Sequence, residues 1–149
     1  MTIRTGNIDS RLDQIIDCLY RVSVKAVIIR NDKILLVQEN DHGWWSLPGG
    51  GIDRGETINT ALQREVSEEL NISPERITVH EQVLHAAIGH VVKSIPRVAL
   101  LYRVDISGND IKGTDHILGF GWFTSEEVEQ LEISDTVGGK TEILRRLRG

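Results

Sequence analysis

The sequence predicts an α/β protein, a sheet covered by helices. Three observations carry that expectation. Two β-branched runs, 22–30 and 33–38, flank the turn dipeptide Asn31-Asp32, which reads as a hairpin. Residues 57–70, TINTALQREVSEEL, repeat apolar positions at helical spacing. Further strand-like runs at 76–88 and 95–106 are followed by two more helical segments.

In chain order, residues 10–20 come first as a helix, with Leu12, Ile15, Ile16 and Leu19 on one face and Ser10 as N-cap. After the hairpin, 41–56 reads as a loop rich in glycine, and 57–70 as a helix. The run 76–88 is a strand with a bend, and 95–106 is a strand whose Pro96 is tolerable near its start. Residues 107–110 form a turn and 119–123 a short strand. Thr124 opens a capping box, T-S-E-E, before a helix near 125–131. A last helix at 140–147 has basic residues in its final turn.

With 149 residues the chain is expected to form one domain, residues 1–149, with 1–20 as a helical extension packed on it. Its formal charge, 17 − 22 = −5, argues against duplex nucleic acid as a partner. A small phosphorylated ligand fits if metal ions supply positive charge. Cys18 is the single cysteine, which excludes an intrachain disulfide and fits a cytoplasmic location. The first ten residues lack the apolar core of a signal peptide, and no run approaches a membrane span.

The helix over 57–70 holds the sharpest signal. With Ile58 at zero and about 100° per residue, Ala61, Leu62, Val66 and Leu70 form an apolar stripe. Glu65 falls at about −20° and Glu69 at about +20°, inside that stripe, with Glu68 at its edge near −80°. A solvated helix face accounts for such acids badly, because the core-facing side desolvates them. Either one carboxyl takes up a proton or a cation sits between them. Oxygen ligands favour a hard ion, Mg²⁺ or Mn²⁺. In the preceding loop, Pro48 fixes the entry, and Gly49, Gly50 and Gly51 let backbone approach a ligand or the helix. Glu56, at the helix start, either complements the dipole or holds an inner arginine.

These residues resemble a known family. Gly50, Glu56 and Arg64-Glu65-Val66-Ser67-Glu68-Glu69-Leu70-Asn71-Ile72, with five and seven residues between them, resemble the signature of the Nudix (MutT-like) hydrolases. Eight of its nine specified positions match, and Trp45-x-Leu47-Pro48-Gly49 resembles the usual run-up. The departure is Asn71, where the family has Gly. The position follows the helix, where a left-handed residue is favoured, and Asn is the next-best residue there.

The resemblance implies an α/β/α sandwich around a mixed sheet, and hydrolysis of a nucleoside diphosphate linked to another group. It implies metal ligation by Glu65, Glu68 and Glu69, with a carbonyl of Gly49 or Gly50 added. It makes Arg64 the residue that orients a glutamate, with Glu56 supporting it. Glu65 is a candidate base, and Asp115, Glu126 or Glu127 are alternatives, although capping suits the last two better. The implied partner is a nucleoside diphosphate-linked small molecule, not a nucleic acid or membrane, bound by a monomer or homodimer.

Substrate choice is less legible. The stretch Ala87-Ile88-Gly89-His90 lacks the Pro or Tyr of some subfamilies, and the second strand ends Gln38-Glu39 rather than in basic residues. Trp44, Trp45 and Trp122 either stack on a base or pack. Arg97 and Arg103, evenly spaced on one strand, share a face and either contact phosphates or line an exposed surface. His80, His85 and His90 have no compact metal spacing. Two rivals remain on the same scaffold. A nucleotide sensor would usually lack box acids, which are all present. A related isomerase would carry a catalytic cysteine, and Cys18 lies far upstream.

Overall fold

The computed structural model describes residues 19–40, 43–92, 95–134 and 139–149. Of the helix expected at 10–20, residues 10–18, with Cys18, lie outside them, and Leu19 and Tyr20 are not helical. Strand β1 (Arg21–Val27) is followed by β2 (Ile29–Arg30), β3 (Lys33–Glu39), β4 (Trp45–Ser46) and β5 (Gly49–Gly51). Helix α1 spans Ile58–Leu70, and a 3-10 turn at Pro74–Arg76 leads into β6 (Ile77–Val92). Strands β7 (Ile95–Ile106) and β8 (Ile117–Phe123) precede α2 (Ser125–Gln130) and α3 (Gly139–Arg148).

The strands form two groups. One has the order β5-β1-β7-β6; the other joins β2, β4 and β8 to β3. Only the β1–β7 contact is parallel among these ladders, so the sheet is mixed. Alternation along the strands splits the core in two. Leu35, Val37, Tyr102 and Val104 pack with Ala61, Leu62, Val66 and Leu70 of α1. Ile34, Leu36, Ala99 and Leu101 face the other way, onto Val128 of α2 and Ile143 of α3. The result is the expected α/β/α sandwich. Among the described residues no helix is long and apolar enough to cross a membrane.

Two expectations are refined. The hairpin at Asn31-Asp32 exists, with both residues left-handed at φ 52° and 59°. It joins β3 to the two-residue β2, whereas β1 breaks away and pairs with β5 and β7. The glycine-rich loop also contains a strand. Gly49, Gly50 and Gly51 pair antiparallel with Lys25, Val24 and Ser23. Backbone bonds from Ala26 N to the Pro48 carbonyl, 2.8 Å, and from Ile52 N to the Val22 carbonyl, 3.0 Å, close both ends.

Candidate active site

Helix α1 starts at a reciprocal cap. The Thr57 hydroxyl accepts from Thr60 N, and Thr60 Oγ1 accepts from Thr57 N. It ends at Asn71, left-handed at φ 52°, whose N–H donates to the Ser67 carbonyl. Asparagine thus fills the position where the box has glycine. The buried residues of α1 are Ala61, Leu62, Val66, Glu69 and Leu70, so one acid does lie within the core stripe.

Strand β5 brings the helix acids against backbone. Gly49 has φ +136°, and a Cβ there would meet the Val24 carbonyl at 2.1 Å, so only glycine fits. Its N–H donates to Glu69 Oε1 at 2.8 Å. Gly50 faces Glu65 so closely that a Cβ would sit 2.6 Å from that carboxyl. Glu69 is 8% exposed. Burial raises its pKa to about 7, against the pull of Lys25 and the Gly49 N–H, while Glu65 and Glu39 push it further up.

Arg64 ties the box together. Its Nε and Nη2 each reach a Glu56 oxygen at 2.8 Å, a bidentate pair. Its Nη1 donates to Glu65 Oε1 at 2.8 Å and lies 3.5 Å from Glu68 Oε2. Its Nη2 also donates to the Gly51 carbonyl and stands 3.6 Å from Asp53. Glu56 accepts from Asp53 N as well, and the Arg64 bonds hold its carboxyl below the usual range. The same pairing raises the Arg64 pKa above its ordinary value. Among the described residues no three acidic, His or Cys groups stand close enough for a preformed metal centre. The Arg64 guanidinium contacts both Glu65 and Glu68.

The other candidates scatter. Asp115 lies on the segment that closes the end of α1, where Thr114 Oγ1 donates to the Glu68 carbonyl at 2.6 Å and the Asp115 carbonyl accepts from Asn40. Glu127 accepts from Thr124 N at 2.8 Å and so caps α2; Glu126 occupies the same first turn. Trp45 packs edge-on against Phe123, with ring centroids 4.8 Å apart, and Trp44 is largely exposed. Trp122 lies under the Arg30 guanidinium, 5.3 Å from its centroid, in a separate cleft with Lys33 and Asn109. Arg103 is tied to Asp105 and the Ile29 carbonyl, at 3.2 and 3.3 Å. Arg97 stands beside Arg21 across the β1–β7 ladder. His80 pairs with Asp105 and His85 lies 3.8 Å from Glu142, while the side chain of His90 is outside the described set.

Four residues at this site escaped the sequence reading. They are Arg21, Lys25, Glu39 and Asp53. Lys25 Nζ lies 3.4 Å from the carbonyls of Leu47 and Gly49, and its charge acts on Glu69. A lone lysine among apolar β1 residues was the available signal.

Comparison with known proteins agrees with this geometry. A NUDIX domain model matches residues 19–147. A MutT-like protein of Streptomyces ambofaciens is 34% identical over 75% of this chain and 69% of its own length. An ADP-ribose pyrophosphatase of Methanocaldococcus jannaschii is 29% identical over 63% of this chain, which spans 56% of that relative. The crystal structure of a MutT NUDIX hydrolase from Burkholderia pseudomallei superimposes with a TM-score of 0.68 at 25% identity, covering 85% of this chain and 97% of that one. With the box acids on α1, the glycine strand beside them and the sandwich around both, the chain belongs to the Nudix family of MutT-like pyrophosphohydrolases.

Proposed function

We propose that this chain hydrolyses the diphosphate linkage of a nucleoside diphosphate joined to another group, with a divalent cation bound at α1. The observation that carries this is Glu69. It is a buried carboxylate with a pKa raised to about 7, set beside Glu65 and held by a single backbone N–H among the described residues. Oxygen-only donors of this kind fit Mg²⁺ or Mn²⁺. Glu65, Glu68, Glu69 and the Gly50 carbonyl are the residues that would hold it. When bound, such a cation neutralises phosphate charge and lowers the pKa of water.

The chain's own residues supply the rest. Glu56 and Asp53 fix the Arg64 guanidinium, which in turn fixes one oxygen of Glu65. That leaves the second Glu65 oxygen to accept a proton from the attacking water, with Asp115 as the alternative acceptor. Substrate class remains of the nucleotide or nucleotide-sugar type. The test is phosphate release with Mg²⁺ and with Mn²⁺ across a panel of nucleotides and nucleotide sugars, alongside Glu65→Gln. Turnover of at least one member, reduced about a hundredfold or more in the variant, is expected. Nucleotide binding without turnover of any member would instead support a sensor, and an unaffected variant would remove Glu65 from the reaction.

A further inference from the structure

The three glycines of β5 make room for three different groups. Gly49 clears the Val24 carbonyl and Gly50 the Glu65 carboxyl. At Gly51 the obstacle is Arg21, since a Cβ there would stand 2.1 Å from Nη2 and 2.6 Å from Cζ of that guanidinium. Strand β5 therefore has no side chain of its own to pack, and it lies at the edge of its sheet, next to β1. Its ladder ends at the Ser23–Gly51 pair and the bond from Ile52 N to the Val22 carbonyl. Residues 52–57 beyond it belong to no strand or helix, although they carry Asp53 and Glu56.

Arg21 reaches past the end of this ladder. It opens β1, its Nη1 donates to the Ile52 carbonyl at 2.6 Å, and its Nη2 stands 3.6 Å from Asp53 Oδ1. From the other side, Arg64 Nη2 donates to the Gly51 carbonyl at 3.1 Å and stands 3.6 Å from Asp53 Oδ2. Two guanidinium groups thus grip successive carbonyls and share one carboxylate, an oxygen each. The backbone N–H of Asp53 donates to Glu56, which takes the bidentate pair from Arg64. A line of contacts runs from Arg21 through Asp53 to Arg64, and on to Glu65 Oε1 at 2.8 Å.

The Arg21–Asp53 contact does little for stability. The two side chains are 31% and 25% exposed, and partly exposed ion pairs at this separation contribute little to folding. Position is a different matter, because displacing a reacting group by about 1 Å can cost about a hundredfold in rate. Outside α1, Arg64 bonds to Gly51 and Glu56, at the two ends of the segment that Arg21 clamps. If that segment shifts, the guanidinium shifts with it, and so does the Glu65 oxygen it holds.

We infer that Arg21 is a positioning residue for the hydrolytic site. It acts on Glu65 indirectly, through the Gly51–Asp53 backbone, the Asp53 carboxylate and Arg64. This role rests on the proposed hydrolysis, and two measurements separate them. The first needs no turnover. Metal-free protein is labelled with ¹⁵N-arginine, and the Arg64 Nε–H resonance is identified by its loss in Arg64→Lys. That N–H donates to Glu56 at 2.8 Å and should exchange slowly with water. In Arg21→Gln and in Asp53→Asn its exchange should quicken tenfold or more, with Arg21→Lys in between. Melting curves confirm that each variant is folded. An Arg64 signal unchanged in folded Arg21→Gln, or in Arg21→Lys where the glutamine variant does not fold, overturns the role.

The second follows hydrolysis with Mg²⁺ on ADP-ribose, UDP-glucose, diadenosine tetraphosphate and dGTP, using the member turned over fastest. Arg21→Gln should lower kcat tenfold or more with KM within about threefold, and Arg21→Lys should recover part of the loss. Asp53→Asn should lower kcat in the same way. The double variant should stay within about twofold of Arg21→Gln, because both changes cut one route. A loss confined to KM, or two losses that multiply in the double variant, overturns the route through Asp53. Quickened Arg64 exchange with no turnover of any compound by the wild type sinks the hydrolase reading and leaves the coupling of Arg21 to Arg64 standing.

Discussion

Among the described residues two glutamates are buried, and they are treated in opposite ways. Glu142 on α3 is 3% exposed, yet Arg146 reaches one of its oxygens at 2.6 Å and Arg145 the other at 3.0 Å. His85 stands 3.8 Å away. Glu69 on α1 is 8% exposed and receives the Gly49 N–H, with no ion-pair partner among the described residues. A buried charge with partners is a structural device, and its removal strands those partners. A buried carboxylate without an ion-pair partner is costly to ionise, a cost that the cation of the proposed function would relieve. The difference suits Glu142 to the fold and, under the proposed function, Glu69 to chemistry.

The sharpest way to test that contrast is to remove each acid. Glu69→Gln should lower hydrolysis by about 10²–10⁴-fold, because the charge is needed only when cation and substrate are bound. The metal-free variant should melt at or above the wild-type temperature at pH 8. Glu142→Ala should do the reverse, costing about 3 kcal/mol in denaturant unfolding while leaving kcat within about twofold. A Glu69→Gln protein that is active and unstable, or a Glu142→Ala protein that is stable and inactive, would break the comparison.

Titration gives a smaller effect of defined sign. The Glu69 pKa is raised from 4.5 to about 7 in the folded chain. The folded state therefore binds more protons than the unfolded state between those values. A penalty appears as pH rises above 4.5 and is complete above about pH 7. Metal-free protein should lose stability, by at most on the order of 3 kcal/mol, from this group between pH 5 and pH 8. Glu69→Gln should remove that component of the pH dependence, and Mg²⁺ at pH 8 should restore the lost stability. Calorimetric scans at several pH values with and without EDTA check both. Glu56 runs oppositely. Its pKa is lowered by Arg64, so its contribution is present above its unfolded value and is lost as pH falls through the folded one.

The smallest effect lies at the end of the same helix. Asn71→Gly should stabilise the chain by at most about 0.5 kcal/mol, since asparagine already adopts the left-handed cap. Equal urea midpoints for the two proteins would be consistent with that ceiling, whereas a loss would show that the Asn71 side chain has a further role.

Much of this was legible because helical periodicity is a local property. Placing Glu65 and Glu69 among Val66 and Leu70 required only the angle per residue, and Glu69 is indeed buried. The Asn31-Asp32 turn was equally local. The glycine strand was not legible, since three residues without side chains have no alternation, and their pairing depends on β1 nearly thirty residues earlier. The break between β1 and β2 was hidden because the apolar run Val27-Ile28-Ile29 passes straight through it. Arg21 and Arg97 are neighbours only through a parallel ladder that joins residues far apart in sequence. The burial of Glu142 was not legible, because it depends on how α3 packs beside a strand distant in sequence, from which His85 stands 3.8 Å away.

Gly49 touches both sides of the site, through two successive peptide groups. Its N–H meets Glu69 and its carbonyl lies 3.4 Å from the Lys25 ammonium. The Gly49 N–H is consequently a built-in spectroscopic reporter. Its proton and nitrogen resonances should follow the ionisation of Glu69 near neutral pH and jump when a cation replaces the proton there. The amide resonances of Gly50, whose peptide includes the Gly49 carbonyl, should move when Lys25 is changed to Met. A single labelled glycine would read out site occupancy without any substrate being turned over.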